Sequence, residues 1–179
     1  YFKIGVDAAK VRSNMYPIPA CSRKKQNFKA SVAPFTMSEI WNQPATVEGL
    51  NALNHNTMGE MLGIQFTEIG ADSITATMPV TASTVQPYRI LHGGANVALA
   101  ETLGSVASTL CLADLATQSC VGLEINANHL KSVREGGKVT GVCKPVRLGR
   151  QVHVWQIEIR DEKGELSCIS RLTVAIVDR

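Results

Sequence analysis

No stretch of this 179-residue chain is long and apolar enough to cross a bilayer. The longest charge-free run, Ser73 to Tyr88, is 16 residues and holds two prolines, and the charge-free run of the apolar helix, Thr102 to Ala113, is 12, against the roughly 20 that a spanning helix needs. Near the start there is no short apolar segment of the secretory kind. Cysteine is sparse and irregularly placed: Cys21, Cys111, Cys120, Cys143 and Cys168 make an odd number at no framework spacing, which argues against a disulfide scaffold and for a reducing compartment. Histidines and cysteines nowhere fall at C-x-x-C or H-x-x-x-H spacing, so no metal site is expected. G-x-S-x-G is missing, and with it a nucleophile elbow. Gly93-Gly94 lacks the third glycine and the preceding strand of a dinucleotide fingerprint. These absences predict a soluble cytoplasmic protein with no membrane partner, metal or redox cofactor.

Positive charge is scarce where the chain folds. Residues 1–36 hold seven Lys/Arg and one acid, net +6, whereas 37–179 hold eleven bases and fourteen acids, net −3. A basic surface for nucleic acid is therefore not expected on the core. The lead over 1–36 contains Pro17, Pro19 and Pro34, shows no sustained period of 2 or 3.6, and reads as disordered. Its Arg23-Lys24-Lys25 run fits a targeting arm, or sequence upstream of a natural start at Met37. An apolar fraction of 45% and a charged fraction of 18% give residues 37–179 the means to bury a core as one domain.

From Met37 the patterning sharpens. Thr46 and Glu48 open a short helix over 47–54. Leu62, Ile64, Phe66 and Glu68 share one face of a strand, and Ile74, Ala76 and Met78 one face of the next, with a tight turn at Ala71-Asp72. Four further strands are predicted over 121–130, 138–146, 153–160 and 166–177, punctuated by Gly136-Gly137, Leu148-Gly149 and Glu162-Lys163-Gly164. Between the second and third strands, 95–112 reads as about five turns of helix. It is apolar nearly all round and rich in small residues, so it is expected to be buried on every side. One long buried helix and six strands imply an α+β fold with an antiparallel sheet wrapped around the helix. Trp41 and Trp155 read as packing residues, His153 as half-buried or surface, and the cysteines as small core hydrophobes.

Two features of the long helix carry chemistry. His92-Gly93-Gly94 precedes it, and the free N–H groups of a first helical turn suit an oxyanion or a polarised carbonyl; the same glycines also fit an ordinary turn. Glu101 is the only charged side chain between Arg89 and Asp114. Such a carboxylate is costly unless partnered: it either pairs across a subunit interface, reaches solvent, or serves as a general base or nucleophile. Ser105 and Ser108 fall on its face at i+4 and i+7. Gly93 and Glu101 lie about 12 Å apart along the axis, while a carbonyl carbon and its oxygen are only ~1.2 Å apart. One helix cannot serve both atoms, but two antiparallel copies can. If both features act in one reaction, the protein is at least a two-fold dimer.

Gln86-Pro87, Leu91-His92-Gly93-Gly94, Ala100-Glu101 and Gly104-Ser105 resemble the hotdog-fold acyl-CoA thioesterases that use a helix-borne Glu. Val121 to His129, Cys143-Lys144-Pro145 and Trp155 to Ile159 are similar to the 1,4-dihydroxy-2-naphthoyl-CoA hydrolases of menaquinone biosynthesis, with the proofreading thioesterases of enterobactin synthesis as near relatives. The resemblance covers about 37–177. It implies a hotdog fold, hydrolysis of an aromatic acyl-CoA, and a homodimer that pairs into a tetramer. It makes Glu101 the nucleophile or general base, and the Gly93 amide, supported by Gln86 and His92, the group that polarises the carbonyl. Ser105 and His129 match positions at the acyl ring or its water. Gly122, His129-Leu130-Lys131-Ser132 and Arg147-Leu148-Gly149-Arg150 match substrate-binding positions, where Lys131, Arg147 and Arg150 offer cations to CoA phosphates or are simply solvated charge. The stretch 111–120 departs from the family in length and content. A hotdog hydratase or dehydratase recruiting His92, and a non-catalytic acyl-CoA-binding module, are the competing functions.

Overall fold

The computed structural model describes residues 39–179; the lead expected over 1–36 lies outside the described residues. The elements run α1 (Val47–Leu53), α2 (Met58–Met61), β1 (Gln65–Ile69), β2 (Ile74–Pro79), α3 (Gly93–Leu110), β3 (Gln118–His129), β4 (Lys138–Leu148), β5 (Val152–Asp161) and β6 (Leu166–Asp178). The six strands form one antiparallel sheet in the order β1-β2-β4-β5-β6-β3. This is the hotdog arrangement, with α3 lying in the curve of the sheet.

Period-two alternation aims Ile74, Ala76 and Met78 of β2, Trp155, Ile157 and Ile159 of β5, and Cys168, Leu172 and Val174 of β6 at the helix. Leu99, Leu103 and Ala107 of α3 meet them, all fully buried. Gly104 brings helix and sheet together, because a methyl there would overlap the Leu172 side chain. Trp155, the largest buried side chain, stacks on Trp41 with centroids 6.3 Å apart. Its indole N–H donates to Ser108 Oγ at 2.7 Å, which satisfies a donor that burial would otherwise leave unpaired. Both tryptophans are packing residues, as expected. Burial pushes the Cys111 thiol up to about 11 and raises those of Cys143 and Cys168 too.

No glycine closes α3. The segment before α1 does so instead: Asn42 and Gln43 donate their backbone N–H groups to Leu110 O at 2.8 and 3.0 Å. Their side-chain amides donate to Cys111 O and Leu112 O, at 2.8 and 2.7 Å respectively. These satisfy carbonyls that a helix end leaves open.

Several expectations need correcting. Leu62 belongs to no strand; it caps the short helix α2, and β1 begins at Gln65. α3 starts and ends two residues earlier than its apolar run, at Gly93 and Leu110. It is not buried all round, since Ala98, Glu101, Thr102, Ser105 and Thr109 form a half-buried stripe. Ser108 leaves that stripe for the core, drawn to Trp155. His153 is buried, edge-on to Trp155 at 6.3 Å, and burial pushes its pKa below the ordinary histidine value.

The sheet's two edges differ. At β1, Asn51 of α1 mimics a strand neighbour, its amide donating to Phe66 O at 3.0 Å and accepting Phe66 N–H at 2.8 Å. Asn54 donates to Ile64 O at 3.2 Å. At the other edge β3 pairs, among the described residues, only with β6, and its Val121 and Leu123 are 52% and 62% exposed. Edges of that kind recruit another strand.

Candidate active site

The start of α3 is built so that one backbone donor stays free. His92 is the N-cap, and its Nδ1 accepts the Gly94 N–H at 2.8 Å. The Ala95 and Asn96 N–H groups donate to His92 O at 3.0 and 3.3 Å. Among the described residues nothing accepts from Gly93 N–H, which stands at the positive end of an 18-residue helix. The ring of His129 packs against the Gly93 Cα so closely that a methyl on Gly93 would meet Nε2 at 2.7 Å.

Gln86 is aimed by its loop. Its Oε1 accepts Tyr88 N–H at 2.7 Å, which leaves the side-chain nitrogen to donate outward. Gln86 N–H donates to Ile90 O and Arg89 N–H to Gln86 O, at 2.9 and 2.8 Å. Arg89 takes a left-handed φ of 57°, and its guanidinium clamps Glu135 through two bonds, Nε to Oε2 at 2.7 Å. The loop is thereby fastened to the turn that follows β3.

Between these parts lies a cavity of about 280 Å³ lined by Gln86, Gly93, Asn96, His129, Leu130, Lys131 and Ser132, with Ile90, Leu91 and Val133. Six of the residues singled out in the sequence are thus brought together in one protomer. His92 sits beside them at the helix tip, exposed and capping.

Glu101 is not in that cavity. Two turns further along α3 on the half-buried stripe, its Oε1 rests against Gly122 of β3, where a side-chain methyl would overlap it. No cation pairs with it among the described residues. Ser105 lies one turn on, its carbonyl accepting from Thr109 Oγ1 at 3.0 Å and facing Cys120 Sγ at 3.7 Å. Gly122→Ala is expected to keep the fold yet swing the carboxylate aside and lower kcat roughly 10- to 100-fold, as small misplacements of reacting groups do. Steady-state kinetics together with the melting temperature check this.

The cations fall in two places. Lys131, at the cavity wall, is held by Asp161 at 2.6 Å and by Glu165, and it keeps the Asp161 carboxyl below its usual range. Any phosphate there competes with two carboxylates. Arg147 and Leu148, expected in a turn, are the last residues of β4 and pair with Val154 and His153, and only Gly149 and Arg150 lie in the β4–β5 turn; both arginines are exposed. Val139 pairs with Asp161 and Leu148 with His153, so this turn lies nine residues, about 30 Å, along the sheet from the Lys131 end. In one protomer it does not meet the cavity.

The sequence pattern missed Asn96, Tyr88 and Arg89. Asn96 was open to the logic that found Glu101: a polar side chain inside an apolar helix.

Residues 88–168 match the family model described as Thioesterase superfamily. The 1,4-dihydroxy-2-naphthoyl-CoA hydrolase of Escherichia coli K12 is 56% identical over 77% of this chain and 99% of its own length. The proofreading thioesterase EntH of Cronobacter sakazakii is 51% identical over 77% and 98%. A crystal structure of a mutant of thioesterase PA1618 from Pseudomonas aeruginosa superposes with a TM-score of 0.76 at 48% identity, covering 78% of this chain and 99% of that one. The free helix-tip amide, the lone carboxylate on the long helix and these likenesses lead to one conclusion: the chain belongs to the thioesterase superfamily and is a thioester hydrolase on the hotdog fold.

Proposed function

We propose that the protein hydrolyses the thioester of an aromatic acyl-CoA, with 1,4-dihydroxy-2-naphthoyl-CoA as its first substrate, and that each active site is shared by two protomers. One observation carries this. The unpartnered Gly93 N–H and the Glu101 carboxylate lie eight residues apart on one rigid helix, too far to meet at a single carbonyl. A two-fold axis beside the open edge of β3 would set two α3 helices antiparallel. Gly93 of one protomer then faces Glu101 of its partner. The same operation carries the partner's Arg147–Arg150 segment toward the Lys131 end, where exposed guanidiniums suit CoA phosphates. A pairing of two such dimers extends the proposal to a tetramer.

In this scheme the thioester oxygen sits on Gly93 N–H, with the Gln86 amide beside it. Glu101 acts as nucleophile or as general base. As a base it takes a proton from water while the water oxygen bonds to the carbonyl carbon. The oxyanion that develops is held by the helix tip. Collapse breaks the C–S bond, and the proton passes to the departing thiolate, giving CoA thiol and the free acid. Water and the chain's own groups suffice, with no metal or redox cofactor. His92 holds the tip in place by its cap, and Ser105 and His129 line the acyl side.

Substrate choice is tested by thiol release from benzoyl-, phenylacetyl-, 1,4-dihydroxy-2-naphthoyl- and fatty-acyl-CoAs. The dihydroxynaphthoyl ester is expected to give the highest kcat/KM. Faster turnover of the fatty-acyl esters would sink the aromatic assignment. The 51% identity to a proofreading thioesterase favours a second reading, a broad aryl and acyl range, which the same panel would show as near-equal constants. A hydratase or a binding module would release no thiol from benzoyl-CoA.

A further inference from the structure

Asn96 is 4% exposed and lies one turn inside α3, and its Oδ1 is one of three buried side-chain polar atoms without a hydrogen-bond partner among the described residues. It lines the same cavity as Gly93, Gln86 and His129. An orphaned acceptor in a protein interior is uncommon and unfavourable, and here it belongs to a residue in the wall of the cavity that holds the free Gly93 amide. No hydrogen bond among the described residues ties the carboxamide to its orientation, and χ2 of asparagine is broad and roughly two-fold, so rotation about it brings the enclosed oxygen to the cavity side.

We propose that Asn96 recognises the pantetheine arm of the substrate, its Oδ1 accepting the N–H of the amide that lies two methylenes from the thioester sulfur. This rests on the acyl-CoA reading above and adds a residue to it. The spacing agrees. Gly93, which takes the thioester oxygen, and Asn96 are three residues apart, about 4.5 Å along the axis, a step of the same order as the two-methylene link from sulfur to nitrogen. The chemistry agrees as well: between the sulfur and the nucleotide the arm's N–H donors are its two amides, and the nearer one is what an acceptor close to Gly93 would meet. At about 280 Å³ the cavity suits a slender arm rather than a whole CoA ester.

The test separates binding from turnover. Two non-hydrolysable probes are titrated by NMR: the phenacyl thioether of N-acetylcysteamine, and its isostere in which an ester oxygen replaces the amide N–H. The wild-type protein is expected to bind the amide probe roughly three- to tenfold more tightly, the worth of one hydrogen bond. Asn96→Leu should lose that preference, binding both probes as the wild type binds the ester, with a melting temperature unchanged or higher because an orphaned polar group is gone. Asn96→Asp, which keeps an acceptor, should retain a preference for the amide. Equal affinity of the wild type for both probes, or an Asn96→Leu loss that is the same for both, overturns the proposal. Failure of the thioesterase scheme would look different, as absent thiol release with the probe preference intact.

Discussion

Glu101→Gln is expected to fold and assemble like the wild type and to release thiol about 10²- to 10⁴-fold more slowly, the range over which a positioned acid or base contributes. The two side chains are nearly isosteric. The carboxylate stands half-buried on α3 beside Gly122 and pairs with no cation among the described residues, so neutralising it breaks no ion pair of the protomer. The loss should fall on kcat, with KM little changed, because the group acts on the reacting carbon and not on the CoA arm. Thiol-trapping kinetics and a melting curve on the same preparation read both quantities. Turnover within tenfold of the wild type would remove Glu101 from the chemistry.

The second large effect concerns two defective proteins that repair each other. Gly93→Pro removes the one free first-turn N–H at a helical position where proline is tolerated, though its ring pushes on His129. Alone it should be nearly inactive, as should Glu101→Gln. If each site takes Gly93 from one protomer and Glu101 from the other, a hybrid dimer holds one intact site and one doubly defective site. Random re-association after mild denaturation makes half the dimers hybrid, so the mixture recovers roughly one quarter of wild-type activity. No recovery, with hybrids demonstrated by differential tagging, would place both groups in the same protomer and end the shared-site scheme.

The fold was legible because its signals are local. Alternation marks β2 and β6, and the interruptions at Gly136-Gly137 and Glu162-Lys163-Gly164 fall where the chain turns. α2 was passed over although Thr57 and Glu60 stand at capping-box spacing: Thr57 Oγ1 accepts Gly59 N–H at 3.1 Å, and Glu60 Oε2 accepts Asn56 N–H at 2.6 Å. Four residues carry too little apolar pattern to announce a helix.

In the site, Glu101 and Gly93 were visible because a lone charge and a double glycine break the texture of an apolar helix. What could not be read from spacing was tertiary. Lys131 looked like a free cation, yet its partners Asp161 and Glu165 lie 30 and 34 positions away. Ser108 looked like a neighbour of Glu101 by helical phase, but a buried indole 47 positions away claims its hydroxyl. The seat that Gly122 makes for the Glu101 carboxylate depends on which strand lies under the helix, and that is set by the order of the whole sheet.

The contrast between the sheet's two rims limits how copies can add to one another. Asn51 already occupies the backbone groups of Phe66 on the β1 side, whereas β3 presents an unmatched row over twelve residues. A strand-by-strand polymer needs two receptive rims on every unit, one to give and one to take. If copies join through β3 as proposed, the covered Phe66 groups on the opposite rim leave such growth no second place to continue, and the pair would close on itself rather than extend into a fibre.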